Sequence, residues 1–214
     1  MKPTESKSVQ NRIIKYSAEL GWKYVPRIES DERRGGGDSY KTELFYRDIL
    51  NTKLHEFNPW LPENYVLPIP APRIEGNRQI LLSLRGQSTA YDKVEKRERN
   101  ISFIDFEHPE NNLFEVTDEF SVSNGRYNNR QDIVYLINGV PIVDLECKNL
   151  ITKEGIDKAL DQIRRYHTES PELLAIEQTY LASEGMRLEY GVTWNTIRRN
   201  IFTWKGDKVG ELEN

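Results

Sequence analysis

Arg130-Gln131-Asp132-Ile133-Val134-Tyr135-Leu136-Ile137-Asn138-Gly139-Val140-Pro141-Ile142-Val143-Asp144-Leu145-Glu146-Cys147-Lys148-Asn149 is the stretch that decides the fold. Two apolar runs of strand length flank Asn138-Gly139, a strong hairpin signal because both residues tolerate the left-handed backbone of a tight turn. Charges sit at the outer ends, with Asp132 entering and Glu146 and Lys148 leaving. Strand side chains alternate, so Glu146 and Lys148 share one face and Cys147 takes the other. Whether Asp132 joins them is a matter of register. A two-residue Asn138-Gly139 loop sets Asp132 opposite Leu145, on the wrong face. A three-residue loop through Val140, or a bulge, sets it opposite Glu146. Pro141 cannot donate to a ladder and fits irregular pairing beside the turn.

With that offset, two carboxylates and one ammonium converge. Hard divalent cations such as Mg²⁺ (or Mn²⁺ in its place) take carboxylate and carbonyl oxygens, keep waters and accept substrate phosphate. Asp132 and Glu146 are the candidate side-chain ligands, with the backbone carbonyl of Cys147 a further one. Lys148 is placed to orient a water or stabilise charge developing on phosphate. The competing reading is that these charges merely solvate a sheet edge, and spacing alone leaves both open.

Working outward, Ile101–Phe106 and Leu113–Val122 read as further strands upstream. Downstream, Ile156, Leu160 and Ile163 recur at helical spacing, and strands are expected at Gln178–Ala182 and Met186–Tyr190, joined across Ser183-Glu184-Gly185. Residues 5–20 predict a helix with Thr4 or Ser6 as N-cap and Gly21 as its stop. A loop through Pro26 and Arg33-Arg34-Gly35-Gly36-Gly37 follows. A second helix is expected over 39–57, with Leu44, Phe45, Leu50, Leu54 and Phe57 on one face, and a third over about 74–85. The run Lys93-Val94-Glu95-Lys96-Arg97-Glu98-Arg99 reads as a solvated helix face. The order predicts an α/β or mixed α+β fold, a central mixed sheet flanked by helices. A mainly helical part, 1–100, is expected to pack on a core spanning 101–214, together forming one domain.

The 214 residues carry 30 Lys and Arg against 34 Asp and Glu, a net charge of −4 that excludes a uniformly basic nucleic-acid binder. Any such contact must use a local patch or a bound cation, and Arg126, Arg130, Arg164 and Arg165 are the candidates for the patch. A single cysteine excludes a disulfide framework. His55, His108 and His167 are scattered and lack catalytic partners. Without an apolar run of membrane length or a secretory leader, the chain reads as soluble and cytoplasmic. Gly35-Gly36-Gly37-Asp38-Ser39-Tyr40-Lys41-Thr42 is not a phosphate-binding loop, because Tyr40 stands where glycine must precede the lysine.

Asp132 followed by Glu146-Cys147-Lys148 resembles the PD-(D/E)xK nuclease signature. Asn112–Val122, Arg130–Val134, Asn138-Gly139-Val140-Pro141, Leu145–Asn149 and the Gln162/Tyr166 pair narrow the resemblance to the N-terminal nuclease domain of the restriction subunit of type I restriction–modification enzymes. The resemblance spans nearly the whole chain and is strongest from about 112 to 191. It implies a restriction-endonuclease-like fold and a Mg²⁺-dependent endonuclease cutting double-stranded DNA. It implies metal binding at Asp132 and Glu146, a catalytic lysine at Lys148, and Gln162 and Tyr166 touching DNA or supporting the site. Glu5 stands where many relatives carry an auxiliary acid, although a carboxylate favoured by the helix dipole is the other reading. Partners implied are the modification and specificity subunits and an ATP-driven motor in the same subunit. ATP is not assigned to these residues, which read as part of a longer subunit or a separate nuclease-like fragment. The sequence departs from the pattern at Gln131, which replaces a proline, and at Asp144, an extra acid read as a surface residue at a twisted edge or a further ligand. Two rivals stand beside this reading: a degenerate nuclease-like module that binds DNA or docks partners, and another nuclease of the same superfamily.

Overall fold

The Asn138-Gly139 pair closes its hairpin with both residues left-handed, at φ 51° and 79°. These coordinates are a computed structural model that describes residues 5–36, 41–149, 154–184 and 187–204, with backbone alone for 5–8. The described helices are α1 (Glu5–Glu19), α2 (Arg27–Arg33), α3 (Arg47–Phe57), α4 (Ile74–Leu84), α5 (Gly155–Glu169) and α6 (Pro171–Leu174). The strands are β1 (Lys23–Val25), β2 (Thr89–Asp92), β3 (Arg97–Asn100), β4 (Phe114–Ser123), β5 (Asn128–Ile137), β6 (Val140–Cys147), β7 (Thr179–Ser183), β8 (Leu188–Val192) and β9 (Phe202–Thr203).

Seven strands form one mixed sheet in the order β1-β4-β5-β6-β7-β8-β9, while β2 and β3 pair separately. The β1–β4 and β6–β7 pairs are parallel and the others antiparallel. A parallel neighbour demands a crossover, which α5 and α6 supply between β6 and β7. This is the mixed α/β architecture expected of a restriction-endonuclease-like fold.

Alternation along β6 and β7 sorts the core. Leu145 and Cys147 join Val9, Val116 and Ile133 under α1, with Leu181 packed against them. Tyr180 and Ala182 meet Ile156, Ala159, Leu160 and Ile163 of α5 on the opposite side. A third cluster unites Leu50, Leu54, Ile80 and Leu84 of α3 and α4 with Phe120, Val134, Leu136 and Val140 of the sheet.

Several expectations are corrected. The second helix starts at Arg47 rather than 39, and Leu44 and Phe45 are buried ahead of it. The Tyr46 amide there donates to the Gly139 carbonyl at 2.9 Å, so the hairpin tip seats the entry to α3. The expected loop after Pro26 contains α2, and Arg34 beyond it is buried over the Phe120 ring at 3.6 Å. The charge run forms the turn and most of the second strand of the β2–β3 hairpin, not a helix face. Asp92 Oδ1 accepts the amides of Val94 and Glu95 at 2.8 and 3.1 Å, which closes an Asx-type turn before β3. Ile101–Phe106 is no strand; the Ser102 amide bonds to Asn58 Oδ1 at 2.9 Å instead of to a ladder. Thr4, residues 37–40, Gly185 and Met186 lie outside the described residues, as does the side chain of Ser6.

Candidate active site

Register brings the charged ends together. The loop has two residues, Asn138 and Gly139, and Ile137 pairs with Val140 and Leu136 with Pro141. Between Leu136 and Tyr135 the register shifts, so that Tyr135 faces Val143 and Ile133 faces Leu145. Ile142 is the extra residue of this bulge, and its carbonyl accepts the Gln178 amide at 2.8 Å on the β7 side. Carried one residue further, the register sets Asp132 opposite Glu146. The bulge next to Pro141 supplies the offset that a plain two-residue hairpin lacks.

The Cys147 amide donates to Asp132 Oδ2 at 2.8 Å and fixes that carboxylate over the end of β6. Lys148 Nζ stands 4.0 Å from Asp132 Oδ2 and 3.5 Å from Glu146 Oε2. Among the described residues its shortest contact is a hydrogen bond of 2.7 Å to Gln162 Oε1. Gln162 and Tyr166 lie four apart on α5, hence on one helix face, and Gln162 Nε2 donates to Tyr166 Oη at 2.7 Å. The Tyr166 phenol, with one proton to give, lies 2.9 Å from Glu146 Oε1 and 2.8 Å from the Arg130 carbonyl. Lys148, Gln162, Tyr166 and Glu146 thus form a closed ring of polar contacts. Gln162 contacts Lys148 and Tyr166 contacts Glu146, so both side chains touch the charged groups directly.

Glu146 is buried, while about a fifth of the Asp132 and Lys148 side chains meets solvent. Burial, then the neighbouring Asp132, pushes the Glu146 carboxyl up to about 8, against the pull of Lys148 and Tyr166. Burial likewise raises the Tyr166 phenol and the Cys147 thiol. The Cys147 side chain belongs to the α1 core, and the contact it offers the site is its amide.

Asp144 is not a surface residue. It is 1 % exposed, and both carboxyl oxygens lack a partner among the described residues. Because β6 is interior to the sheet, the strand has no solvated edge for an acid to reach. Burial and then Glu146 and Glu177 raise its carboxyl well above the ordinary range. Glu177, just before β7, was not singled out by sequence; it is buried and accepts a 3.0 Å hydrogen bond from Gln131 Nε2. The clue the sequence offers is its position directly after the apolar run Leu173-Leu174-Ala175-Ile176.

The basic residues are engaged locally. Arg130 and Arg27 flank Glu119 at 3.7 and 3.0 Å, Arg126 lies over Tyr127, and Arg164 and Arg165 pair with Asp161 and Glu169 along α5. Glu5 opens α1, and its side chain lies outside the described residues.

A family model described as the type I restriction enzyme R protein N terminus matches residues 2–200. The chain belongs to this R-protein N-terminal family. Among curated relatives of the family, it is 26 % identical over 219 residues to the putative type I restriction enzyme MjaIXP endonuclease subunit of Methanocaldococcus jannaschii, covering 96 % of this chain and 21 % of the relative. It is 25 % identical over 190 residues to the type I restriction enzyme HindI endonuclease subunit of Haemophilus influenzae, covering 80 % and 18 %. A Staphylococcus aureus type I endonuclease subunit, SauCOLORF180P, is 33 % identical over 122 residues, covering 53 % and 13 %. The chain therefore spans about a fifth of the length of the first relatives it matches.

The residues present fit a hard divalent cation. Asp132 and Glu146 offer oxygen atoms side by side, one reachable from solvent and one buried. Among the described residues no group of three or more His, Cys, Asp or Glu is arranged to hold a metal. An ion held by these two carboxylates would keep positions for water, as Mg²⁺ prefers. Among the described residues no helix is long and apolar enough to cross a membrane.

Proposed function

We propose that this chain is the nuclease domain of a type I restriction enzyme endonuclease subunit and hydrolyses phosphodiesters of double-stranded DNA. The observation that carries the reading is the convergence of Asp132, in the middle of β5, with Glu146 and Lys148 at the end of β6, produced by the one-residue bulge. Asp132 and Glu146 would hold Mg²⁺, which when bound polarises the phosphate and lowers the pKa of a water. Asp132 is oriented by the Cys147 amide and Glu146 by the Tyr166 phenol. The Lys148 ammonium, steered by Gln162, stabilises charge developing on the attacked phosphate. Arg130, more than half exposed, is positioned to meet backbone phosphate at the rim.

A chain of net charge −4 binds DNA weakly by itself, since Lys and Arg contacts to phosphate supply most nonspecific affinity. Delivery of DNA then falls to the ATP-driven motor of the same subunit and to the modification and specificity subunits, in the cytoplasm.

The test is plasmid cleavage with Mg²⁺ or Mn²⁺, for this chain alone and within the assembled enzyme. Asp132→Ala and Lys148→Ala should each lower the rate by about 10²–10³ or more with the circular dichroism spectrum unchanged. Cleavage that survives both substitutions, or that neither protein nor variants ever show, sinks the enzyme reading in favour of a DNA-binding or docking module.

A further inference from the structure

We propose that the Lys148 ammonium is the built-in counter-ion of the Asp132–Glu146 pair, and that a divalent cation must displace it, so that metal entry and placement of this lysine form one switch. The inference rests on the nuclease reading above and concerns how that site is held before metal arrives.

Two ionisable acids, one of them buried, stand next to each other, Asp132 within β5 and Glu146 near the end of β6. Ionised acids of that kind are costly to bury without a partner, and among the described residues the cation that faces both is Lys148. Lys148 Nζ lies 3.5 Å from Glu146 Oε2 and 4.0 Å from Asp132 Oδ2, facing both carboxylates without closing a short bond to either. A dication attracted by the same two oxygens meets a like charge already beside them, and at such separations inside a protein that repulsion is large. The 2.7 Å bond to Gln162 Oε1 shows where the ammonium stays attached. That acceptor is neutral, sits on α5 rather than on the acidic strands, and is held by Tyr166. Lys148 can therefore give up the carboxylates and keep Gln162. A lysine freed from its acids in this manner becomes available to the substrate phosphate only when the metal is bound.

The two roles open to Lys148 predict opposite effects on metal affinity. A lysine that helped to ligate or recruit the metal indirectly would weaken metal binding on removal. A lysine that competes with the metal would strengthen it.

Calorimetric titration of the 214-residue chain with Mg²⁺ in the absence of DNA, at alkaline pH where carboxyls are ionised, reads this without reference to cleavage. Lys148→Met should lower the Mg²⁺ Kd at least tenfold, about 1.4 kcal/mol. Lys148→Arg, which keeps the charge, should stay within about threefold of wild type. The metal-free Lys148→Met protein should melt below wild type and regain most of the difference in saturating Mg²⁺. Lys148→Gln serves as the uncharged variant if the methionine protein does not fold. An unchanged or raised Kd in the uncharged variant, alongside measurable binding by wild type, overturns the counter-ion role and leaves the nuclease reading standing. Absence of Mg²⁺ binding by wild type and variants alike overturns the metal site, and the counter-ion role with it.

Discussion

Replacing Glu177 by glutamine should stabilise this protein, and increasingly so as pH rises. Glu177 is buried, accepts one hydrogen bond from Gln131 Nε2, and leaves its own Oε1 and the Gln131 Oε1 without partners among the described residues. Burial pushes its carboxyl from 4.5 up to about 8, only partly opposed by Gln131. Below the unfolded value both states are protonated and the group is neutral to stability. Between the two values the folded chain holds a proton that the unfolded chain has lost, so stability falls with rising pH. Above the folded value the whole penalty is present, at most about 5 kcal/mol at ~1.4 kcal/mol per pKa unit. Glutamine removes the titration and offers an amide donor to the orphaned Gln131 oxygen. Urea denaturation near the acid end of this window should show wild type and Glu177→Gln within about 1 kcal/mol. Near the alkaline end the variant should lead by about 2–4 kcal/mol, since its amide still has a desolvation cost. A variant that is less stable by the same amount at every pH would refute the reasoning, because Glu177 would then be ionised and paired.

Gly139→Ala should destabilise the fold by about 3 kcal/mol or more in equilibrium denaturation, because a Cβ there lies 2.5 Å from the Tyr46 carbonyl oxygen on a residue with φ 79°. A loss under 1 kcal/mol would mean the hairpin tip and the entry to α3 separate easily. Tyr166→Phe deletes the donor shared by Glu146 and the Arg130 carbonyl, so it should cost about 1–3 kcal/mol and slow plasmid cleavage while DNA binding is retained. Loss of DNA affinity with an unchanged maximal cleavage rate would instead place this phenol on the DNA.

Much of the site was legible because its determinants are local. Alternation assigned Glu146 and Lys148 to one face and Cys147 to the other, Asn138-Gly139 marked the turn, and a four-residue spacing set Gln162 and Tyr166 side by side on α5. The same local rules misread the charge run, where an Asp92 carboxylate capping two amides outweighs helical composition. They also carried the second helix too far back, since nothing near Tyr46 announces that its amide will be taken by Gly139, far along the chain.

Tertiary structure decided what short-range pattern leaves open. The offset that sets Asp132 opposite Glu146 comes from a bulge at Ile142, whose carbonyl is bound by a residue beyond the α5 crossover. Asp144 has the composition of a surface acid and becomes a buried one because β5 and β7 occupy both sides of its strand. Glu177 is isolated in sequence and meets Gln131 only across the folded sheet. Chain pattern alone thus determined which residues carry charge, and on which strands, since alternation and turn geometry act over a few residues. Their distances, burial and protonation required the fold, because dielectric and register depend on neighbours remote in sequence.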